Sequence, residues 1–200
     1  MIYSSTATGF KLLLKLLQIP SNRSIKMLNI YLAGKISKND WRHQIVNGLR
    51  RVSRSFFGYS DINEIKWPIL KNSIFKYFHY TGPYFIGCDH GCFHDSHSHG
   101  WANEGDCGDT ASEDSYYAVY ELCKTAIHNS DLVFAWIDST ESYGTFAEIG
   151  YAAGLKKTIV TAFEKNIPDL WFINQMGNGI ICPTPTSALR FFLEQLTEID

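Results

Sequence analysis

The chain has 200 residues, of which 45% are apolar and 14% aromatic, which is enough to build one sizeable hydrophobic core in a single domain. Its 18 basic and 20 acidic side chains nearly cancel, so the overall charge does not indicate a protein that binds nucleic acid or lies on an anionic membrane. We therefore expect the ligand to be a small molecule.

The chain has 5 cysteines, an odd number, and no cleavable secretion signal is recognised before them. We therefore expect reduced thiols and a cytoplasmic protein rather than a disulfide framework. The longest apolar stretch near the start, residues 12–19, is interrupted by Lys15 and followed by Pro20, so no transmembrane helix is predicted.

Residues 1–26 differ in composition from the rest of the chain. A polar start is followed by a leucine-rich segment from Phe10 and by a polar segment from Pro20. The pattern predicts an N-terminal extension with a short amphipathic helix, which could anchor the chain to a membrane or partner or lie on the domain's own surface. Residues 27–200 are expected to form the domain itself.

The first element predicted in the domain is a buried strand that starts at Leu28 and ends at Gly34. Asn39 and Asp40 can cap a helix that continues to about Arg54. Residues 55–87 carry short β-rich pieces, among them 84–86, between turn formers such as Thr81-Gly-Pro83. Residues 88–112 have no apolar period and read as a long polar loop, hereafter the polar loop.

Helices and strands alternate in the second half of the chain. The sequence predicts a helix from Ser112 or Asp114 to about His128, a strand over 131–138, a helix over 145–155 and a strand over 158–162. This alternation predicts an α/β fold with a doubly wound, mostly parallel sheet and helices on both faces, of the Rossmann or flavodoxin-like type.

Ligands of such sheets bind beyond the carboxyl ends of the strands. Tyr31-Leu-Ala-Gly34 and the segment from Asp138 to Thr145 should meet there, with the polar loop able to fold over both. Glycine at 144 lets a ligand approach the backbone, Thr145 can cap or donate a hydroxyl, and Glu148 should point back toward the same place. Thr145 with Glu148 also fits a plain helix capping box, so both interpretations stay open on spacing alone.

Three segments, Tyr31-Leu-Ala-Gly34, Ser130-Asp-Leu-Val and Gly144-Thr-Phe-Ala-Glu-Ile-Gly-Tyr-Ala152-Ala-Gly154, agree in order and spacing with one family. They resemble the nucleoside 2-deoxyribosyltransferase family, and the resemblance covers roughly residues 28–180. It implies that Glu148 is the nucleophile that attacks the anomeric carbon of a sugar. It also implies that Tyr31 orients the Glu148 carboxylate.

The resemblance extends to Ile173-Asn-Gln-Met176, which is similar to the family segment that gives an asparagine to a neighbouring subunit's active site. It therefore implies a role for Asn174 and a homo-oligomer with a shared active site. The chain departs from the family near Ser142 and Cys123, where the family has aspartates that hold sugar or base. The substrate-binding residues expected near Glu148 are Gly34, Asp138, Ser142, Gly144 and Thr145.

The resemblance implies cleavage of the N-glycosidic bond of a nucleoside, a deoxynucleoside or a nucleoside 5′-monophosphate. Cleavage of a glycosidic bond passes through an oxocarbenium-like state that a carboxylate can stabilise or capture, and capture by Glu148 would give a covalent glycosyl enzyme. Water would then complete a hydrolase and a second base would complete a transferase, and the sequence leaves both open. No cofactor is expected.

The polar loop is rich in His, Cys and Asp side chains, which are also ligands for zinc. Its Cys88-Asp-His-Gly-Cys92 segment with Cys107 lacks a standard zinc spacing, so no metal ligand is assigned. The preferred interpretation is a lid over the site, with Asp89 or His90 contacting phosphate or protonating the leaving base. A structural zinc site and a solvated loop without a function remain alternatives.

Three other functions stay open at this point. Nucleotide phosphoribohydrolases related to lysine-decarboxylase-like proteins share a similar glutamate motif, but this chain has Ser142-Tyr143 where they have a glycine pair. The domain could also be a nucleoside- or nucleotide-binding sensor without turnover, or a zinc-stabilised interaction module.

Overall fold

The computed structural model describes residues 27–36, 40–46, 78–83 and 113–197. The predicted N-terminal extension, the predicted helix beyond residue 46, the strand piece at 84–86 and the whole polar loop lie outside these residues. The predictions for Asp89 and His90 therefore lie outside the described residues as well.

The described residues form strands and helices in alternation. The strands are β1 Leu28–Gly34, β2 Phe78–Gly82, β3 Leu132–Ile137, β4 Thr158–Phe163 and β5 Asn178–Ile181. The helices are α1 Arg42–Ile45, α2 Glu113–Asn129, α3 Tyr143–Gly154, α4 Trp171–Met176 and α5 Pro185–Thr197, with a 3₁₀ turn at Pro168–Leu170 before α4.

Within the described residues, all the strands belong to one sheet of 5 strands in the order β2-β1-β3-β4-β5. Every neighbouring pair is parallel, and β1 lies between β2 and β3, its Leu28 opposite Phe78 and its Ile30 opposite Leu132. The predicted doubly wound α/β fold is confirmed, and its strand order is the flavodoxin-like one.

The sheet is covered on both faces, which explains why its middle strand, β3, is apolar at every position. Strand β3 is buried at every position, so alternate residues face opposite cores. One core joins the sheet to α2, α3 and α4 through residues such as Tyr31, Val133 and Ile149. The other joins it to α1 and α5 through residues such as Phe134 and Phe192.

Several predicted boundaries are wrong. Strand β2 includes Thr81 and Gly82, which read in the sequence as the start of a turn. Helix α3 begins at Tyr143, two residues before the predicted start. Asn174 lies inside α4, and Asn178 and Gly179 begin β5.

Two polar contacts tie the amino ends of neighbouring strands together. Asp131, just before β3, accepts a hydrogen bond from the backbone N–H of Asn29 in β1 at 2.8 Å. Lys157, just before β4, donates from Nζ to the carbonyls of His128 and Ser130 where α2 ends and β3 approaches. Both contacts lie at the sheet edge opposite the carboxyl ends of the strands.

Among the helices formed by the described residues, none combines the length and the apolar character needed to cross a bilayer.

Candidate active site

The strand order places the candidate site between β1 and β3. In a parallel sheet of this order the chain leaves β1 toward one face and β3 toward the other, and a crevice opens between their carboxyl ends. Strand β1 ends at Gly34, and β3 leads through Asp138 to the start of α3. The two segments predicted to converge are therefore brought to one edge of the sheet.

Tyr31 and Glu148 form a direct hydrogen bond at this edge. Tyr31 lies in β1 with no exposed surface, and its hydroxyl donates to Oε1 of Glu148. Glu148 lies in α3 and is partly exposed, so one side of its carboxyl group contacts the protein while the residue still reaches solvent. The pairing implied by the family resemblance is therefore present in the fold.

The two groups differ in protonation. Burial, followed by the nearby Cys123 and Glu148, raises the pKa of Tyr31 well above its ordinary value, so the phenol stays protonated and acts as a donor. Burial raises the pKa of Glu148 to about 7, while the Tyr31 hydrogen bond and the charge of Arg42 act in the opposite direction. Glu148 therefore exchanges its proton near neutral pH.

The capping-box interpretation of Thr145 and Glu148 is wrong. The N-cap of α3 is Ser142, and its side chain makes no capping hydrogen bond. Thr145 is buried inside the first turn of the helix, and the Glu148 carboxyl bonds to Tyr31.

The remaining residues predicted to bind substrate surround the start of α3. Asp138 is exposed, and Ser142 is buried with its Oγ 3.5 Å from an Asp138 carboxylate oxygen, at the limit of a hydrogen bond. Gly144 is exposed, and a Cβ added there would meet nothing within 4 Å. The start of α3 therefore has open space beside it and no acidic residue in its first turn.

Gly34 closes β1 in a crowded place. A Cβ at this position would lie 3.0 Å from a guanidinium nitrogen of Arg42 and 3.1 Å from the carbonyl oxygen of Trp136. Glycine is needed here for close approach of the chain segments, so the role of Gly34 in the structure is to let Arg42 reach the end of β1.

Arg42 was not predicted as part of the site. It is fully buried, pairs with Asp40 at 2.6 Å, and donates to the carbonyls of Leu32 and Gly34 in β1. The only signal in the sequence is a charged residue, Arg42, within the apolar side of a helix that also contains Trp41 and Ile45. That signal does not say which strand the guanidinium reaches.

Cys123 lies beside the Tyr31 hydroxyl, near the place where the family resemblance implies an aspartate. It lies in α2, partly buried, with its thiol in hydrogen-bonding contact with the Tyr31 hydroxyl. The Tyr31 hydroxyl is thus placed between a thiol and a carboxyl group. This side of the site presents a weakly polar sulfur.

Asn174 lies beside the start of β5. Its Oδ1 is buried without a hydrogen-bond partner, and a Cβ at Gly179 of β5 would come within 2.1 Å of this atom. Helix α4, which carries Asn174, has no buried residue of its own. The structure places Asn174 between α4 and β5 and does not bring it to Glu148 of the same chain as a hydrogen-bond partner.

In the part of the chain that the structure describes, no group of three or more His, Cys, Asp or Glu side chains is arranged to hold a metal ion. The zinc ligands considered in the sequence belong to the polar loop, which lies outside that part.

Comparison of the chain with protein-family models, curated proteins and solved structures found no match. The function is therefore inferred from the residues of the site and from the resemblance of its motifs.

Proposed function

We propose that the protein cleaves the N-glycosidic bond of a nucleoside, a deoxynucleoside or a nucleoside 5′-monophosphate, with Glu148 as the nucleophile. The observation that carries the proposal is the hydrogen bond from the buried Tyr31 hydroxyl to the Glu148 carboxyl at the carboxyl edge of the sheet. A neutral phenol donor fixes the direction of one carboxylate oxygen and leaves the other for the sugar.

The reaction proceeds in two steps. A carboxylate oxygen of Glu148 forms a bond to the anomeric carbon of the sugar as the bond to the base nitrogen breaks, and the base leaves with the bonding electron pair and takes up a proton. Water or a second base then attacks the same carbon, releases the Glu148 carboxylate and restores the original configuration. Water makes the enzyme a hydrolase, and a base makes it a transferase.

The surroundings of Glu148 are suited to this chemistry. The side chain is desolvated enough for its pKa to rise to about 7, yet it is partly exposed and can meet a ligand. Open space beside Gly144 offers room for the sugar next to the start of α3. Cys123 in place of an aspartate favours a base or sugar contact that differs from the family's usual one.

The first experiment is a survey of substrates. The purified protein is incubated with ribo- and deoxynucleosides and their 5′-monophosphates, with and without an added free base, and released bases are separated by chromatography. We expect one class to release base, with the rate reduced at least about 1000-fold in Glu148→Ala. Base exchange without net hydrolysis identifies a transferase. No release by a folded protein contradicts the proposal and favours the sensor.

The covalent intermediate is tested separately. A nucleoside with fluorine at the 2′ carbon of its sugar destabilises the oxocarbenium-like state and slows both steps, so the glycosyl enzyme accumulates if the leaving base is good. Mass spectrometry should find the sugar mass on the peptide that contains Glu148 in the unmodified protein, and not in Glu148→Gln. Turnover without any adduct would assign Glu148 a role other than nucleophile.

We also propose that the protein works as a homo-oligomer. Trp171 and Phe172 at the start of α4 are 66% and 56% exposed and contact each other edge to face, and neighbouring α3 exposes Tyr143. Adjacent exposed aromatic side chains are typical of surfaces that another protein covers. A second copy of the chain is the partner implied by the family resemblance, and Asn174 lies on the same short helix.

A further inference from the structure

The end of β1 is held in an unusual way. Strand β2 pairs with β1 only as far as Tyr31, opposite Gly82, whereas β3 pairs with β1 through Gly34. The carbonyls of Leu32 and Gly34 therefore lie beyond the last residue of β1 that has a partner in β2. Buried carbonyls need donors, and those that β2 does not reach must bond to other groups.

Arg42 supplies these donors. Its Nε donates to the Leu32 carbonyl at 2.7 Å, and its Nη2 donates to the Gly34 carbonyl at 2.6 Å. Its third nitrogen, Nη1, donates to Asp40 at 2.6 Å, and Asp40 also accepts the backbone N–H of Arg42. The planar guanidinium thus supplies donors that β2 does not supply to these carbonyls, with bonds of fixed geometry that a lysine cannot reproduce.

The part of β1 that Arg42 holds, from Leu32 to Gly34, begins next to Tyr31. Tyr31 directly precedes Leu32, and its hydroxyl donates to Glu148. Arg42 and Asp40 are both buried, so the charge of the guanidinium is poorly screened by water.

We propose that Arg42 is a positioning residue of this site, which fixes the end of β1 so that Tyr31 meets Glu148 and places a permanent positive charge near that carboxylate. The inference rests on the proposed function for its kinetic consequence. Its electrostatic consequence is measurable on the protein without substrate.

The charged and titratable groups around Glu148 are few among the described residues. Strands β3 and β4 and helix α4, which pack near α3, carry no titratable side chain. Tyr31 and Tyr80 have pKa values raised well above the ordinary value, chiefly by burial, and stay neutral. Cys123 contributes a thiol beside Tyr31. Helix α2, which also packs against α3, carries Glu121 and Lys124, which pair with each other. Among the described residues, Arg42 is the charged group that acts on Glu148, and it lowers the pKa of that carboxyl group.

The test is a titration of Glu148 in protein labelled with ¹³C at the glutamate side-chain carboxyls. The Glu148 signal is identified by its loss in Glu148→Gln. Removal of the positive charge in Arg42→Gln should raise the titration midpoint of Glu148 by about one pH unit. Lys124→Gln makes the same change in net charge at a residue paired with Glu121 on α2, and should leave the midpoint unchanged.

A second comparison separates the effect of the Arg42 charge from that of its hydrogen bonds to β1. Arg42→Lys keeps the positive charge, so the Glu148 midpoint should return toward the original value. A lysine cannot bond to both carbonyls and Asp40 in the same way, so the end of β1 is held less firmly. If base is released, the kcat of Arg42→Lys should still fall about 10-fold or more with little change in KM, because the strand end is less well fixed.

Removal of Arg42 alone leaves Asp40 buried without this partner, which can prevent folding. Asp40→Asn combined with Arg42→Gln removes both charges and repeats the titration in that case, again with a higher midpoint expected. A folded Arg42→Gln protein, or a folded double variant where Arg42→Gln alone does not fold, whose Glu148 midpoint stays within about 0.2 pH units of the original overturns the inference. Absence of base release for every substrate contradicts the proposed function and leaves the titration result standing.

Discussion

Opposing effects act on the pKa of the Glu148 carboxyl group. Burial favours its neutral form and raises its pKa to about 7, whereas the Tyr31 hydrogen bond and the Arg42 charge favour the ionised form. Tyr31 and Arg42 therefore offset part of the cost of desolvating the carboxylate, and the proposed mechanism needs this because a nucleophile must be ionised to attack. Each of these contributions can be removed by a small change in one side chain.

If Glu148 is the nucleophile as proposed, kcat/KM for base release should rise with pH through about 7, because only the ionised carboxylate can attack. Tyr31→Phe removes the hydrogen bond to the charged form, so the rise should move to higher pH by about one unit and the maximal rate should fall. The pH profiles of the two proteins are the measurement. A rate that instead falls as pH rises through 7 would identify protonated Glu148 as an acid.

The same carboxyl group affects stability. Its pKa is raised from an ordinary 4.5 to about 7, so the folded state is disfavoured progressively as pH rises from below 4.5 to above 7. Glu148→Gln removes the titration, and at pH 8 the variant should be more stable than the original protein by up to about 3 kcal/mol.

As pH falls below 4.5, this difference in the free energy of unfolding should shrink to the small difference between a neutral carboxyl group and an amide at this position. Urea unfolding at a series of pH values measures it. Glu141→Gln, the same change at an exposed position in the same segment, is the control. A pH-independent difference for Glu148→Gln would contradict the raised pKa.

At the scale of elements, the end of β2 packs directly against the side chain of Tyr31. A Cβ at Gly82 would lie 2.5 Å from the Tyr31 ring and 3.1 Å from Ala126 of α2. The ring is fully buried and has no room to move away. Strand β2 therefore fixes Tyr31 from one side while Arg42 holds the rest of β1.

Gly82→Ala should destabilise the fold by about 1–3 kcal/mol, because the added methyl overlaps a buried ring. It should also weaken the Tyr31 hydrogen bond, so the titration midpoint of Glu148 should rise. Urea unfolding and carboxyl titration check the two effects. Gly150→Ala, where a Cβ meets nothing within 4 Å, should instead raise stability by up to about 1 kcal/mol. Equal effects at the two glycines would contradict the packing.

The elements that could be predicted from the sequence are those with a clear apolar pattern of their own. Strands β1 and β3 are short apolar runs, and the helices after them carry a regular apolar face. Strand β2 ends in Thr81-Gly82 and β5 begins with Asn178-Gly179, which are turn-forming pairs in isolation. Only their pairing with β1 and β4 makes them strands, because tertiary contacts override local propensity.

Some residues of the candidate site could be predicted from the sequence and others could not. Tyr31 and Glu148 follow from motifs at the ends of elements that the sequence predicts, and the fold brings them together. Arg42 could not be assigned, because its role depends on β2 ending before β1 does, and this is a property of pairing between distant segments. Asn174 likewise needed the position of β5 before its surroundings could be described.

For the whole molecule, the exposed aromatic side chains of α4 lead to a prediction about assembly. Trp171→Ser together with Phe172→Ser should shift the protein to a smaller assembly in light scattering, because the two rings supply apolar area for an interface. Base release should fall with it if Asn174 serves the neighbouring subunit. Tyr117→Ser on α2, also 66% exposed, is the matched control and should leave the mass unchanged. A monomeric original protein would contradict the proposed oligomer.

The contacts at the amino ends of the strands have a consequence for how such a protein can diversify. Lys157 and Asp131 tie β1, β3, β4 and α2 together on the side away from Glu148. Segments at the carboxyl side can therefore be exchanged or lengthened without loosening these ties. Transplanting that side's loops from a protein of different specificity is a rational route to a new substrate, with Lys157 and Asp131 kept as the invariant frame of the chimaera.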